Sequence, residues 1–191
     1  MKQVLLIFNI FLVLIGNAQN KIEFVSEDIT FEILEDEFYI NGTYFFKNLN
    51  DTCTETIIDY PFPQDEYMGN VNNFDIYTDT NKTKYSIIDI SDKRAIFASE
   101  NCDNRLYFFN IKYQQKILKD SVKYILTTTK SWNKSLQNAD YKLIVPENLE
   151  ITFFSYYPDD ELEAEKKKIY FWHMDNFYPD EDFIIKYKKT D

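Results

Sequence analysis

Hydrophobic and polar residues alternate along most of the chain, and hardly any stretch keeps the periodicity of an amphipathic helix. Ile29, Phe31 and Ile33 alternate with Asp28, Thr30 and Glu32, which predicts a first strand. After an acidic turn at Glu35, Asp36 and Glu37, a second strand puts Phe38, Ile40, Gly42, Tyr44 and Phe46 on one face. Tyr39, Asn41, Thr43 and Phe45 fall on the other, so the pair reads as a hairpin. Ile57 and Ile58 lead into Tyr60-Pro61-Phe62-Pro63, whose prolines remove ladder donors and end that strand ahead of a loop through Asn73. Further strands are expected over residues 74–78, 85–90, 94–98, 106–113, 121–129, 140–145, 150–155, 168–172 and 183–187. The pattern predicts an all-β protein, an antiparallel β-sandwich of immunoglobulin-like or related type, with about ten to twelve strands and at most a short helix. Residues 158–168 are the one helical candidate: a proline first, acids next and lysines last suit a helix dipole. Leu162 alone supplies little apolar face, so a charged loop or a single helical turn is the expectation.

The amino terminus breaks this pattern. Lys2 precedes an apolar run over residues 4–15, interrupted by Asn9, and Gly16, Asn17 and Ala18 follow. A basic start, an apolar core too short to span a bilayer comfortably and a small-residue end describe a signal peptide, residues 1–18, cleaved between Ala18 and Gln19. A retained anchor is the alternative. No cysteine closes the run to take a lipid, and no basic cluster follows to stop transfer, so cleavage leaving no transmembrane anchor is the preferred reading. The mature part, 19–191, is then an extracytoplasmic β-sandwich domain, secreted or periplasmic, either undivided or built of two packed sub-domains meeting near 115–120.

Composition narrows the class. With 45% hydrophobic and 28% charged residues the chain has the balance of a folded globular protein. Its net charge is −11, and loss of Lys2 with the leader makes it more negative still. The run Lys166-Lys167-Lys168 follows Asp159, Asp160, Glu161, Glu163 and Glu165, so it forms a local charge dipole and not a basic stripe; nucleic acid is excluded as a partner. The 15 Tyr and 17 Phe accompany abundant Lys, Asn and Ile, which is what AT-rich coding sequence produces. With only 3 Gly, turns are expected to draw on Asn and Asp, which tolerate left-handed backbone best.

Two cysteines, Cys53 and Cys102, are the whole complement, and export would carry them into a compartment where disulfides persist. A bond between them would close a loop of about fifty residues, worth roughly 4 kcal/mol in the chain-entropy account. Two buried free thiols are the alternative.

Catalytic and metal motifs are sparse. His173 is the sole histidine, which rules out a multi-histidine metal site, and no Gly-x-Ser-x-Gly elbow accompanies it; a structural or surface role is expected. Phosphate-cradling glycine loops and Cys-x-x-Cys pairs are missing. Glu100, Asn101, Asp103 and Asn104 around Cys102 offer oxygen ligands for calcium without the spacing of an EF-hand. Four glycosylation triplets begin at Asn41, Asn50, Asn81 and Asn133 and would matter only with eukaryotic-type machinery. Acidic runs such as Asp159-Asp160-Glu161 and Asp180-Glu181-Asp182 read as solvated turns, although two carboxylates suffice for glycoside hydrolysis. No catalytic residue, cofactor or metal is assigned.

Three segments resemble a family of secreted bacterial β-sandwich proteins filed as a domain of unknown function: Asp28-Ile29-Thr30 with Gly42-Thr43-Tyr44-Phe45-Phe46-Lys47-Asn48; Tyr124-Ile125-Leu126-Thr127-Thr128-Thr129-Lys130-Ser131-Trp132 ahead of Ala139; and Trp172-His173-Met174-Asp175-Asn176-Phe177-Tyr178-Pro179. The resemblance implies an extracytoplasmic β-sandwich and brings no established catalytic residues. The expected function is a non-enzymatic binding or structural role at the cell envelope, with an envelope protein or glycan as partner. Tyr and Trp side chains would either form a recognition face on one sheet or fill the core. The alternative is a secreted carboxylate-dependent hydrolase acting on glycans.

Overall fold

The computed structural model describes residues 22–78, 83–102 and 106–190; the expected signal peptide, with Asn81, Asp103 and Asn104, lies outside them. Thirteen strands occur among the described residues: β1 (Ile22–Leu34), β2 (Glu37–Asn48), β3 (Thr54–Pro61), β4 (Met68–Tyr77), β5 (Thr83–Ser91), β6 (Arg94–Asn101), β7 (Leu106–Ile117), β8 (Ser121–Tyr124), β9 (Leu136–Pro146), β10 (Leu149–Phe154), β11 (Asp160–Ala164), β12 (Lys167–Phe177) and β13 (Phe183–Lys189). They form a seven-stranded sheet of order β11-β12-β9-β1-β2-β7-β4 and two three-stranded sheets, β10-β13-β8 and β3-β6-β5. Every pairing is antiparallel except β1 with β9, which is parallel. The chain is all-β and sandwich-like, and its large sheet takes strands from both sides of residues 115–120.

Alternation along β1 and β2 sets the two faces of the large sheet. Ile29, Phe31, Ile33, Phe38 and Ile40 are fully buried, whereas Asp28, Thr30 and Glu32 face outward. Both small sheets cover the same inner face. Phe31 stacks on Phe38 within the large sheet and on Phe183 of β13 at 5.1 Å, and Phe109 of β7 meets Phe97 of β6 at 5.3 Å. Each such ring removed from water contributes about 1.5–3 kcal/mol. Eight of the 15 tyrosines and Trp172 are buried, so much of the aromatic richness fills the interior, while Tyr77, Tyr85, Phe153, Tyr157 and Tyr178 are exposed.

Three local expectations are corrected. The strand predicted over 121–129 stops at Tyr124, and Thr127–Trp132 form a 3-10 helix. One carboxylate oxygen of Asp182 accepts from the backbone N–H groups of Leu126 and Thr127 and from the Thr127 hydroxyl, which turns the backbone away from the ladder despite its β-branched residues. Residues 160–164 are neither helix nor loop but an edge strand; its side chains are all exposed, so no apolar alternation could reveal it. The expected loop through Asn73 belongs to β4, whose pairing with β7 shifts register twice. Positive φ falls at Asn73, Asn133 and Asn176, in keeping with the scarcity of glycine, and also at Glu165 and Lys166.

Candidate binding cavity

The two small sheets leave a gap above the large one. β3 and β8 are end strands of their sheets, and where they approach each other their tyrosines meet a third from below. The Tyr44 hydroxyl lies 2.7 Å from that of Tyr60 on β3 and 3.0 Å from that of Tyr124 on β8, so a single side chain of the large sheet links all three sheets. Gly42 makes room for it, since a Cβ there would stand 2.5 Å from the Tyr44 hydroxyl oxygen.

Beside this junction is a cavity of about 620 Å³. Its floor is Phe24, Glu27, Tyr44, Phe46 and Phe109 of the large sheet; β3 and the 3-10 helix form its sides and its mouth, where Glu55, Ile57 and Thr128 are exposed. Trp132 packs against Phe24 at 6.0 Å and Phe46 at 5.8 Å, closing one end with indole. The size and apolar lining match those of small-molecule sites.

Glu27 is the charged group in the floor. It is 1% exposed, and the Tyr141 hydroxyl donates to its Oε1. Burial pushes its carboxyl up to about 7, against a smaller opposing effect of the Tyr141 bond. Among the described residues no cation pairs with it. Burial also raises the phenols of Tyr44, Tyr60, Tyr124 and Tyr141 well above their ordinary value, so all four stay neutral. Sequence reading passed over Glu27, yet a signal was present: it has the parity of Ile29, Phe31 and Ile33 and therefore points inward with them.

The residues singled out from sequence lie elsewhere. Cys53 and Cys102 are joined as a disulfide spanning 49 positions, beside the Thr54 and Asn101 pair that ends the β3 and β6 ladder. Asn101 is buried, donating to the Thr83 hydroxyl at 2.8 Å while its carbonyl accepts from Asn48, so it serves the scaffold. Glu100 lies near the two sulfurs, which the disulfide removes as thiolate ligands, and within 3.8 Å of Lys84. His173 is exposed on the outer face of the large sheet. Its Nδ1 is 2.5 Å from Asp140, and its backbone N–H donates to Asp159. The bond to Asp140 and the charges of Asp140, Asp175 and Asp159 raise its pKa. Asp28, paired with Asp140 in the parallel register, is raised by burial and by that neighbour's charge. Asp28, Asp140, Asp159 and Asp160 line a shallow depression of about 370 Å³ together with His173 and Lys142. The acidic run at 180–182 is structural, with Asp180 and Asp182 tying down Tyr156 and the 3-10 helix.

Residues 101–185, somewhat less than half of the chain, match the family model of a domain of unknown function, DUF4424, in agreement with the resemblance visible in the sequence. None of the curated proteins matches. Among solved structures, a proposed nutrient binding protein from Legionella pneumophila superposes with a TM-score of 0.67 at 14% identity, over 87% of this chain and 67% of that one. An M1 zinc metallopeptidase from Deinococcus radiodurans superposes with a TM-score of 0.54 at 7% identity, over 87% of this chain and 42% of that one. The chain thus spans about two thirds of the first protein and less than half of the second. At these identities the likeness is one of fold. No helix among the described residues is long and apolar enough to cross a membrane.

Proposed function

We propose that this chain is an exported, non-enzymatic binding protein that takes a small, largely apolar molecule into the cavity between its sheets, at the cell envelope or beyond it. The observation that carries the reading is the cavity itself, about 620 Å³ with aromatic walls and a mouth between β3 and the 3-10 helix. A well-packed core holds few voids larger than a water molecule, so an opening of this size in the middle of a sandwich is a site for something else. The role proposed for the Legionella protein, nutrient binding, agrees with it. The signal-like pattern of residues 1–18 and the disulfide support the export reading, under which the cavity would meet extracytoplasmic solutes.

Thermal unfolding against a panel of small metabolites tests the reading. A ligand at a hundred times its Kd stabilises by about 2.7 kcal/mol, which raises Tm by several degrees. Thr128→Trp places an indole at the mouth from an exposed position and is expected to abolish the shift while leaving the unliganded Tm unchanged. A panel without effect, together with protein that carries no small molecule when purified natively, overturns the proposal. Export is tested by the mass of the protein outside the cytoplasm, expected to begin at Gln19.

A further inference from the structure

Resting on the reading of the cavity as a ligand site, we infer that its ligand is a small organic cation, an ammonium group on an apolar body, held by the Glu27 carboxylate and by the faces of the surrounding rings. Three observations lead there. Glu27 is a buried carboxyl on the cavity floor, where the Tyr141 hydroxyl donates to its Oε1. An ionised carboxylate without a partner is costly to bury, and among the described residues no lysine, arginine or histidine lines the cavity. The cation that would complete the pair therefore comes from outside.

The walls supply the rest of the recognition. Phe24, Tyr44, Phe46 and Trp132 stand within 6.3 Å of one another in successive pairs, and aromatic faces attract cations, most strongly where water is excluded. The entrance carries Glu55, which favours a positively charged visitor over a carboxylate, whereas Asp59 is already paired with Arg94 at 3.2 Å. A neutral ligand would gain from the rings by burial alone and would leave Glu27 unpaired.

The titratable groups around Glu27 are the phenols of Tyr44 on β2, Tyr124 on β8 and Tyr141 on β9, all held neutral by burial, so Glu27 is the group among them that changes charge between about pH 6 and pH 8. With its carboxyl near 7, the ionised fraction rises from about a tenth to about nine tenths over that interval.

The test uses three probes of equal length, hexylammonium, 1-hexanol and hexanoate, titrated into the mature protein at about pH 6 and about pH 8. Calorimetry and tryptophan fluorescence serve as readouts, Trp132 lying in the cavity wall. Hexylammonium is expected to bind, to tighten up to about tenfold with the rise in pH, and to exceed both other probes at the higher value. Glu27→Gln is expected to weaken hexylammonium by about tenfold at pH 8 and to remove its pH dependence. Binding of 1-hexanol to the same variant, equal to that of wild type, shows the cavity intact. Preference for hexanol or hexanoate, or unchanged hexylammonium binding in Glu27→Gln, overturns the inference and leaves the cavity as a site for uncharged molecules. No response to any of the three overturns the cavity reading and the inference together.

Discussion

Tyr44 folds back over Gly42, two positions earlier on the same strand and face, and there its hydroxyl reaches Tyr60 and Tyr124. A methyl group at position 42 would come within 2.5–2.8 Å of the hydroxyl oxygen and ring carbons of Tyr44. Gly42→Ala must therefore push the ring out of its bonding position and leave buried hydroxyls without their partner. The expected loss is about 1–3 kcal/mol, read as a lower urea midpoint with an unchanged slope. Tyr44→Phe keeps the ring and removes the hydroxyl, and it should cost about 1 kcal/mol. Wild-type stability in Gly42→Ala would show that the ring has another place to go.

Glu27 makes stability depend on pH in an unusual direction. Its carboxyl has a reference value of 4.5 and is raised to about 7 in the fold, so between these values the folded protein keeps a proton that the unfolded chain has released. Stability therefore falls as pH rises from about 4.5 to about 7 and levels off above. The full effect is on the order of 3 kcal/mol, or about 6–12 °C in Tm. Glu27→Gln should flatten this part of the profile and be more stable than wild type at pH 8. An identical pH profile in the variant would show that Glu27 ionises at its ordinary value.

Much of this fold could be read from parity alone. Ile29 to Ile33 and Phe38 to Phe46 announce the central hairpin because one of its faces is buried and the other is not. β11 could not be read, because an exposed edge strand is held by backbone bonds to β12 and carries no pattern in its side chains. The 3-10 helix was hidden for another reason: the Asp182 carboxylate that shapes it is more than fifty positions away. The cavity was least legible. Glu27 shows its inward parity, but whether a void lies in front of it depends on where β3 and β8 end, and that is set by the tertiary packing of sheets joined through Tyr44.

His173, the sole histidine, gives an isolated ring signal in proton NMR. Its bond to Asp140 and the nearby acids should place its titration midpoint above 6.5. Asp140→Asn should bring it back toward that value. A raised histidine adds stability that is fully present below about pH 6.5 and is lost as pH climbs through the folded value, the same direction as Glu27 but at higher pH. The two are separable because Glu27→Gln removes only the lower part. A midpoint at or below 6.5 in the native protein would show that the ring swings free of Asp140.

The turn between β11 and β12 offers a stabilising change. Glu165 has φ 50° and Lys166 φ 63°, the left-handed pair that a two-residue hairpin turn requires, with Ala164 and Lys167 closing the ladder on either side. Neither residue favours that backbone, whereas Asn-Gly does. Glu165→Asn with Lys166→Gly should raise stability by about 1 kcal/mol and leave the cavity, whose floor on β1, β2 and β7 is several strands away, unaffected. Lower Tm in the double variant would place the turn in a different conformation.

The Cys53–Cys102 bond closes a loop that contains β3, β4, β5 and β6, so its removal frees the unfolded chain in the part that forms one complete small sheet. The link spans 49 positions, for which chain entropy alone gives roughly 4 kcal/mol. Cys53→Ser with Cys102→Ser should lower Tm by about 8–16 °C under non-reducing conditions. Under reducing conditions the wild type should fall to the same value as the double variant, which separates the cross-link from any effect of the serines themselves. Because β3 forms one side of the cavity, hydrogen exchange should increase first along β3 and β6 in the reduced protein, and ligand binding should weaken with it. Exchange that increases evenly over all three sheets would mean that the bond restrains the whole fold and not the wall of the site.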